Sequence, residues 1–223
     1  MAYSVKKFLS YFKDVSLEQT SSNYNPHLEV LLVDGRHQLI TKDAIYSFDD
    51  KYDNFYRSLK KINWELLTGK KVLVLGLGLG SVIYILEKKL NRIFEYTAVE
   101  IDEEIVRLAQ KYTLNHLQSY VEVMVVDAAQ YLRINNETYD LILMDIFQSA
   151  VIPEKFQDDV FLSTLKSKLN DNGLLLYNRM YANKSDLNEN ELFESQFSEI
   201  FPNNTVLSIK DNLVYFSDKK YLQ

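Results

Sequence analysis

Three glycines at alternate positions, Gly76, Gly78 and Gly80, follow the apolar run Val72-Leu73-Val74-Leu75. An apolar run that breaks into glycines in this way reads as a buried parallel strand turning sharply into a helix. With no side chains on the turn, a ligand can approach the backbone closely. The next apolar run, Tyr96 to Val99, ends in Glu100, at the spacing of about twenty residues at which an acid can hold both hydroxyls of a ribose. Glycines and acid together indicate a nucleoside-containing ligand. The dinucleotide spacing Gly-x-Gly-x-x-Gly is absent, since its third position falls on Ser81 or Ile83 depending on register. No Gly-Lys-Ser/Thr follows the glycines, so a P-loop is excluded.

The strands and helices that must position these residues continue in alternation. Glu103 to Tyr112 carries Ile105, Val106, Leu108 and Ala109 on a helical period. Val121 to Val126 reads as a third strand ending at Asp127-Ala128, and Tyr139 to Met144 as a fourth ending at Asp145. A helix over Asp158 to Leu169 and a turn at Asn172-Gly173 lead into a fifth strand, Leu174 to Tyr177. Ligands of doubly wound sheets sit outside the carboxyl ends of the strands, and Gly76, Glu100, Asp127 and Asp145 all fall there. The spacing Gly-x-Gly-x-Gly resembles that of class I S-adenosylmethionine-dependent methyltransferases. On that reading Glu100 holds the ribose, Asp127 accepts from the adenine amino group beside the Ala128 backbone, and Asp145 pairs with the methionine ammonium. Each acid could instead cap a helix N-terminus. Asp102, just before Glu103-Glu104, is assigned to that role; ligand binding is preferred for Asp127 and Asp145.

The chain has 223 residues, 47% of them hydrophobic, enough for one full α/β domain with a small appendage. No apolar segment approaches a membrane span, and Met1 to Lys7 lacks the apolar core of a signal peptide. A cytoplasmic location follows as the default. Zero cysteines exclude disulfides, thiolate zinc sites and a cysteine nucleophile. A net charge of −6 argues against a broad phosphate-binding surface, and the dispersed lysine pairs read as solvated helix faces rather than a nucleic-acid track. His27, His37 and His116 share no metal-ligand spacing and are expected at the surface, so no metal is expected. Trp64 is expected to pack.

Before the glycine loop, two β-prone runs flank Asp34-Gly35, a hairpin signal. Val5 to Phe12 reads equally as a short helix or strand. Tyr52 to Leu67 carries Phe55, Leu59, Ile62 and Leu66 at helical spacing, and Ser21 to Pro26 is the one candidate flexible joint. After the fifth strand come a helix, Leu187 to Phe201, and an antiparallel pair, Thr205 to Ile209 with Leu213 to Phe216. The expected architecture is a doubly wound, Rossmann-like α/β fold with a seven-stranded mixed sheet. A β-hairpin element over residues 1–50 precedes an S-adenosylmethionine-binding domain over 51–223.

The hairpin Leu32-Val33-Asp34-Gly35-x-x-Gln38, the glycine loop, Val99-Glu100-Ile101-Asp102, Val126-Asp127-Ala128 and Tyr139 to Asp145 recur in order. Together they resemble the spermidine synthase family of polyamine aminopropyltransferases, over about residues 28–180. The resemblance implies decarboxylated S-adenosylmethionine as cofactor, a homodimer, Gln38 near the sulfur end, Glu100 at the ribose and Asp127 at the adenine. It fails at the catalytic loop, Asp-Ser-Ser-Asp-Pro in the family and Asp145-Ile146-Phe147-Gln148-Ser149 here. Asp145 is kept, but Gln148 stands at the base, and an amide takes no proton at neutral pH. Leu79 replaces the aspartate of the family's glycine loop, and Tyr46-Ser47-Phe48 replaces its Tyr-His-Glu.

A general base contributes about 10²–10⁴ in rate, and losing a buried carboxylate partner of an ammonium costs about 2–5 kcal/mol. Asp49, Asp50 or Asp53 could compensate. Methyl transfer, which needs mainly alignment, is therefore ranked ahead of aminopropyl transfer, with a non-catalytic adenosyl-ligand sensor third. Asp145 and Gln148 are the candidate catalytic residues. The loop Phe147 to Pro153, facing Tyr46 and Phe48, is expected to take a small, not strongly cationic acceptor; neither nucleic acid nor membrane is expected as a partner.

Overall fold

The computed structural model describes residues 3–42, 44–148, 151–181 and 184–223, with side chains described outside 182–188. Ser149 and Ala150 of the expected acceptor loop lie outside the described residues, as does the side chain of Leu187.

After a first helix, α1 (Tyr3–Leu9), the chain forms β1 (Val15–Thr20), β2 (Leu28–Val33), β3 (Arg36–Ile40) and β4 (Ile45–Phe48). These make a four-stranded antiparallel sheet in sequence order, larger than the single hairpin expected. The β2–β3 turn is Asp34-Gly35 with both φ positive, +49° and +74°, the primed geometry that matches strand twist.

Then follow α2 (Asp53–Lys60), β5 (Lys71–Leu75), α3 (Ser81–Tyr84, continued by a π-helical turn over Ile85–Lys89), β6 (Glu95–Glu100), α4 (Glu103–Tyr112) and β7 (Tyr120–Val125). The chain continues through α5 (Ala128–Ile134), β8 (Tyr139–Met144), α6 (Asp159–Ser167), β9 (Leu169–Met180), α7 (Lys184–Ile200), β10 (Thr205–Ile209) and β11 (Asn212–Phe216). Seven strands pair in the order β10-β11-β9-β8-β5-β6-β7. β5, β6, β7, β8 and β9 run parallel, while β11 is antiparallel to both neighbours, β9 and β10. The seven-stranded mixed α/β sheet is as expected.

Both faces of the sheet are covered, which is why its central strands are apolar throughout. Val72, Val74, Leu141 and Leu143 pack with Phe55, Leu59, Ile83 and Val106 on one face. Leu73, Leu75, Ile142 and Met144 pack with Leu132, Leu162, Leu165, Phe193 and Phe197 on the other. A third cluster joins the small sheet to the glycine loop: Leu28, Val30 and Leu39 meet Leu79, Ile105 and Leu108. Leu79, fully buried, thus fastens the loop to the N-terminal sheet.

Three local expectations differ from what forms. α2 stops at Lys60 because the chain end pairs with the following segment: Ile62 bridges Leu222, and Asn63 N–H donates to Tyr221 O at 2.6 Å. Leu66, expected on the helix stripe, is 41% exposed. Asn172-Gly173 is a slip of register inside β9, not a turn before it. The expected joint at Ser21 to Pro26 is held by Asp102, which accepts from Ser22 Oγ (2.5 Å) and Asn25 Nδ2 (2.7 Å) while capping α4 through Glu104 N–H (3.0 Å). Asp102→Ala would remove the cap and leave the half-buried donors of Ser22 and Asn25 without their acceptor. The expected result is a loss of about 2–4 kcal/mol in urea unfolding; an unchanged midpoint would show the joint to be independent of α4.

Candidate active site

The order of the strands reverses at β5 and β8, and a crevice opens beyond their carboxyl ends. Gly76, the first residue past β5, has φ +87° and donates its N–H to Val99 O at 3.0 Å. A Cβ there would stand 2.4 Å from Asp145 O, so only glycine lets the two strand ends pass. Gly76 and Gly78 line the resulting cavity, of about 840 Å³. Gly80 does not. It caps α3 in the left-handed region, and a Cβ on it would meet Leu114 at 2.9 Å, so it serves packing of the turn.

Glu100, at the end of β6, lines the cavity and holds the glycine loop. Its Oε2 accepts from Leu77 N–H at 3.0 Å, and its Oε1 from Ile101 and Asp102 N–H at 2.9 and 3.1 Å. Burial raises its carboxyl above the usual range, against the opposing pull of these donors. A carboxylate has about four lone-pair sites, so one hydroxyl can be accepted outright and a second by sharing a loop bond.

Asp127 unites two expectations. It caps α5 by accepting from Gln130 N–H at 3.1 Å, and it lines the cavity beside Val126 and Ala128. Lys155 reaches across to its Oδ2 at 2.5 Å. Burial alone would raise this carboxyl, but Lys155 and the helix N–H groups hold it below its ordinary value.

Asp145, the first residue after β8, accepts from Tyr52 Oη at 2.8 Å and Asn178 Nδ2 at 2.9 Å. Neither donor carries charge, and no ion pair reaches Asp145 among the described residues. Burial pushes its carboxyl up to about 7, the two hydrogen bonds opposing. The Tyr52 hydroxyl is raised well above its ordinary value by its own burial and by Asp145. Such a carboxyl can hold a proton near neutrality or pair with an incoming cation. Tyr52 and Asn178 went unnoticed in the sequence. Asn178 directly follows the expected fifth strand, so the rule of strand carboxyl ends would have found it; nothing local marks Tyr52.

Tyr46 and Phe48 of β4 line the cavity, as do Phe147 and Gln148. Gln148 and Val151 pair through two backbone bonds, at 2.8 and 3.2 Å, closing the loop. Gln38 is not on the cavity. It sits one strand farther out, opposite Phe48 in the β3–β4 register, and Phe48 lines the cavity instead. Of the three acids expected to compensate for Gln148, only Asp53 lines the cavity, and it pairs with Lys210. Asp50 is taken by Arg36 and Lys89, and Asp49 accepts from His37 N–H at 2.8 Å. His37 is not a surface histidine: it packs on Tyr112, its Nε2 lies 3.0 Å from Tyr3 Oη, and burial lowers it to about 4. Trp64 packs as expected, on Phe94 and under Arg92. No helix among the described residues is long and apolar enough to cross a membrane.

Residues 58–207 match the family model of the spermine/spermidine synthase domain. A polyamine aminopropyltransferase of Vibrio vulnificus is 30% identical over 135 residues, 59% of this chain and 45% of that protein. A probable polyamine aminopropyl transferase of Bifidobacterium longum is 26% identical over 136 residues, 61% of this chain and 30% of its own length. The chain therefore spans about half the length, or less, of these curated relatives. Spermidine synthase from Thermotoga maritima shares the fold, with a TM-score of 0.67 at 15% identity over 90% of this chain and 71% of that one. So does human methyltransferase-like protein 13 in complex with SAH, with a TM-score of 0.61 at 22% identity over 78% of this chain and 84% of that one.

Proposed function

Because this chain belongs to the spermine/spermidine synthase family, we propose that it transfers an aminopropyl group from decarboxylated S-adenosylmethionine to an amine. The observation that carries the reading is Asp145, a carboxyl without an ion-pair partner among the described residues, beside the close approach of the two strand ends. The named relatives are aminopropyltransferases, which supports aminopropyl over methyl transfer.

The residues present fit an adenosyl sulfonium. Gly76 leaves a cradle that a Cβ would fill, Glu100 offers a carboxylate to ribose hydroxyls, and Asp127 offers one to the adenine amino group. When bound, the sulfonium supplies an electrophilic carbon whose C–S electron pair returns to sulfur as the amine nitrogen bonds to it. Asp145 pairs with the ammonium form of the acceptor and takes its proton, which frees the nitrogen lone pair. Tyr52 and Asn178 hold that carboxylate in place. Phe147, Tyr46 and Phe48 exclude water around it.

Thermal-shift titration tests the reading. A donor at 100 times its dissociation constant stabilises the fold by about 2.7 kcal/mol. The decarboxylated form and methylthioadenosine should shift the melting point more than S-adenosylmethionine does, and mass spectrometry should find an aminopropylated amine. Glu100→Ala should weaken adenosyl binding by about 100-fold, since two hydrogen bonds to a charged group are worth at least ~3 kcal/mol; an unaltered affinity would remove Glu100 from the ribose. Methyl transfer remains the second reading, favoured by neutral Gln148 and by buried Leu79 at the positions of two family acids. Preference for S-adenosylmethionine over its decarboxylated form, with a methylated product, would select it.

A further inference from the structure

Strand order lays the cavity out along the sheet. From the glycine loop outward, β8, β9, β11 and β10 follow one another, about 4.8 Å apart. Their ends at the crevice supply Asp145, then Asn178 and Met180, then Asn212, then Ile209 and Lys210, all lining the cavity. The adenosyl-binding residues lie over β5, β6 and β7, so the half beyond Asp145 is left for the acceptor.

The charges in that half are unlike those a diamine requires. Apart from Asp145, its charged groups are the ion pair of Lys210 with Asp53 and, next in sequence to Tyr52 and Asp53, the cavity-lining Lys51. Lys51 has no carboxylate partner among the described residues. Its neutral polar groups include the Tyr52 hydroxyl and the carboxamides of Asn54, Gln148, Asn178 and Asn212. Asn178 Oδ1 is buried without a hydrogen-bond partner, so the Asn178 amide is committed to Asp145 through its nitrogen alone. Lys210 also holds a conformation that disfavours it: φ is +52°, in the left-handed region, at the β10–β11 turn. Asn or Gly would hold this turn with less strain. The turn nevertheless presents a long cationic side chain to the cavity.

Resting on the reading that an amine attacks beside Asp145, we propose that the acceptor carries a carboxylate at the end remote from that amine, held by Lys51, with the Lys210–Asp53 pair beside it. The substrate class is then an amino acid with a terminal amine, not a polyamine. Its ammonium meets Asp145 and its carboxylate meets Lys51, whereas a diamine would bring its second cation against Lys51. Both lysines are exposed, so solvent screens this like-charge apposition, which still disfavours the diamine relative to a carboxylate.

Three probes of equal chain length separate the possibilities: 4-aminobutanoate, 1,4-diaminobutane and butylamine. Each is titrated by calorimetry with and without methylthioadenosine, and assayed for alkylation with both adenosyl donors. The wild type should bind 4-aminobutanoate at least tenfold more tightly than the diamine. Lys51→Gln with Lys210→Asn, the second chosen because Asn tolerates the left-handed region, should bring 4-aminobutanoate down to the level of butylamine while methylthioadenosine still binds. Equal or tighter binding of the diamine by the wild type overturns the proposal. So does a carboxylate advantage that survives the double substitution, or failure of all three amines to bind. Failure of methylthioadenosine itself to bind would count against the adenosyl reading instead, and the titrations without it would still decide the acceptor's charge.

Discussion

Asp145→Asn is expected to lower kcat/KM by about 10²–10⁴ at pH 8, the range that a positioned proton acceptor contributes. The variant keeps the size of the side chain and can still accept from Tyr52 Oη, so its fold and adenosyl binding should survive. In the wild type, kcat/KM should rise with pH through about 7, where burial has moved the carboxyl, and flatten above; the Asn variant should lose that rise. Stability should move the opposite way. A carboxyl whose folded value lies above its unfolded one favours the folded state below pH ~4, and that contribution is lost as pH rises through about 7. Asp145→Asn should therefore gain stability relative to the wild type between pH 5 and pH 8 in urea melts. A pH-independent difference in both rate and stability would remove Asp145 from proton transfer.

Gly76→Ala should be the most damaging single methyl addition in the site. The new Cβ would sit 2.4 Å from a backbone oxygen, that of Asp145, and φ at +87° disfavours any side chain. Strain of about 1–2 kcal/mol from the backbone and about 1–3 kcal/mol from overpacking sums to roughly 2–5 kcal/mol. For a chain of this size that is a fall in Tm of roughly 5–20 °C. Because relief requires β5 and β8 to part at their ends, the shift induced by methylthioadenosine should vanish as well. A variant that melts like the wild type and still binds would mean that the loop has room the structure does not show.

Gly76, Glu100, Asp127 and Asp145 meet on one cavity, as the rule that α/β sheets bind at strand carboxyl ends requires, and Gly78 from the glycine spacing and Ala128 from its place beside Asp127 line it with them. The rule depends on strand direction alone, and strand direction is written in apolar runs and their glycine and acidic stops. Gln38 comes from the family resemblance and Gly80 from the glycine spacing, and neither signal shows how far a residue stands from the cavity. Gln38 stands one strand farther out, paired with Phe48, and Gly80 packs toward Leu114. α2 was overextended because helical periodicity in Ile62 and Leu66 could not reveal the competing bond from Tyr221, contributed by the far end of the chain.

The amino-acid order by itself determined the α/β class, the parallel core and the acids at its carboxyl edge, since these follow from periodicity and local turn chemistry. Only the tertiary structure decided what those acids are free to do. It spends Asp102, Asp49 and Asp50 on loops and ion pairs, couples Asp127 to Lys155, and leaves Asp145 facing two neutral donors from α2's approach and β9. Partners so far apart in sequence meet only when the sheet is assembled, and the charge state of a carboxyl is set by those partners and by the water they displace.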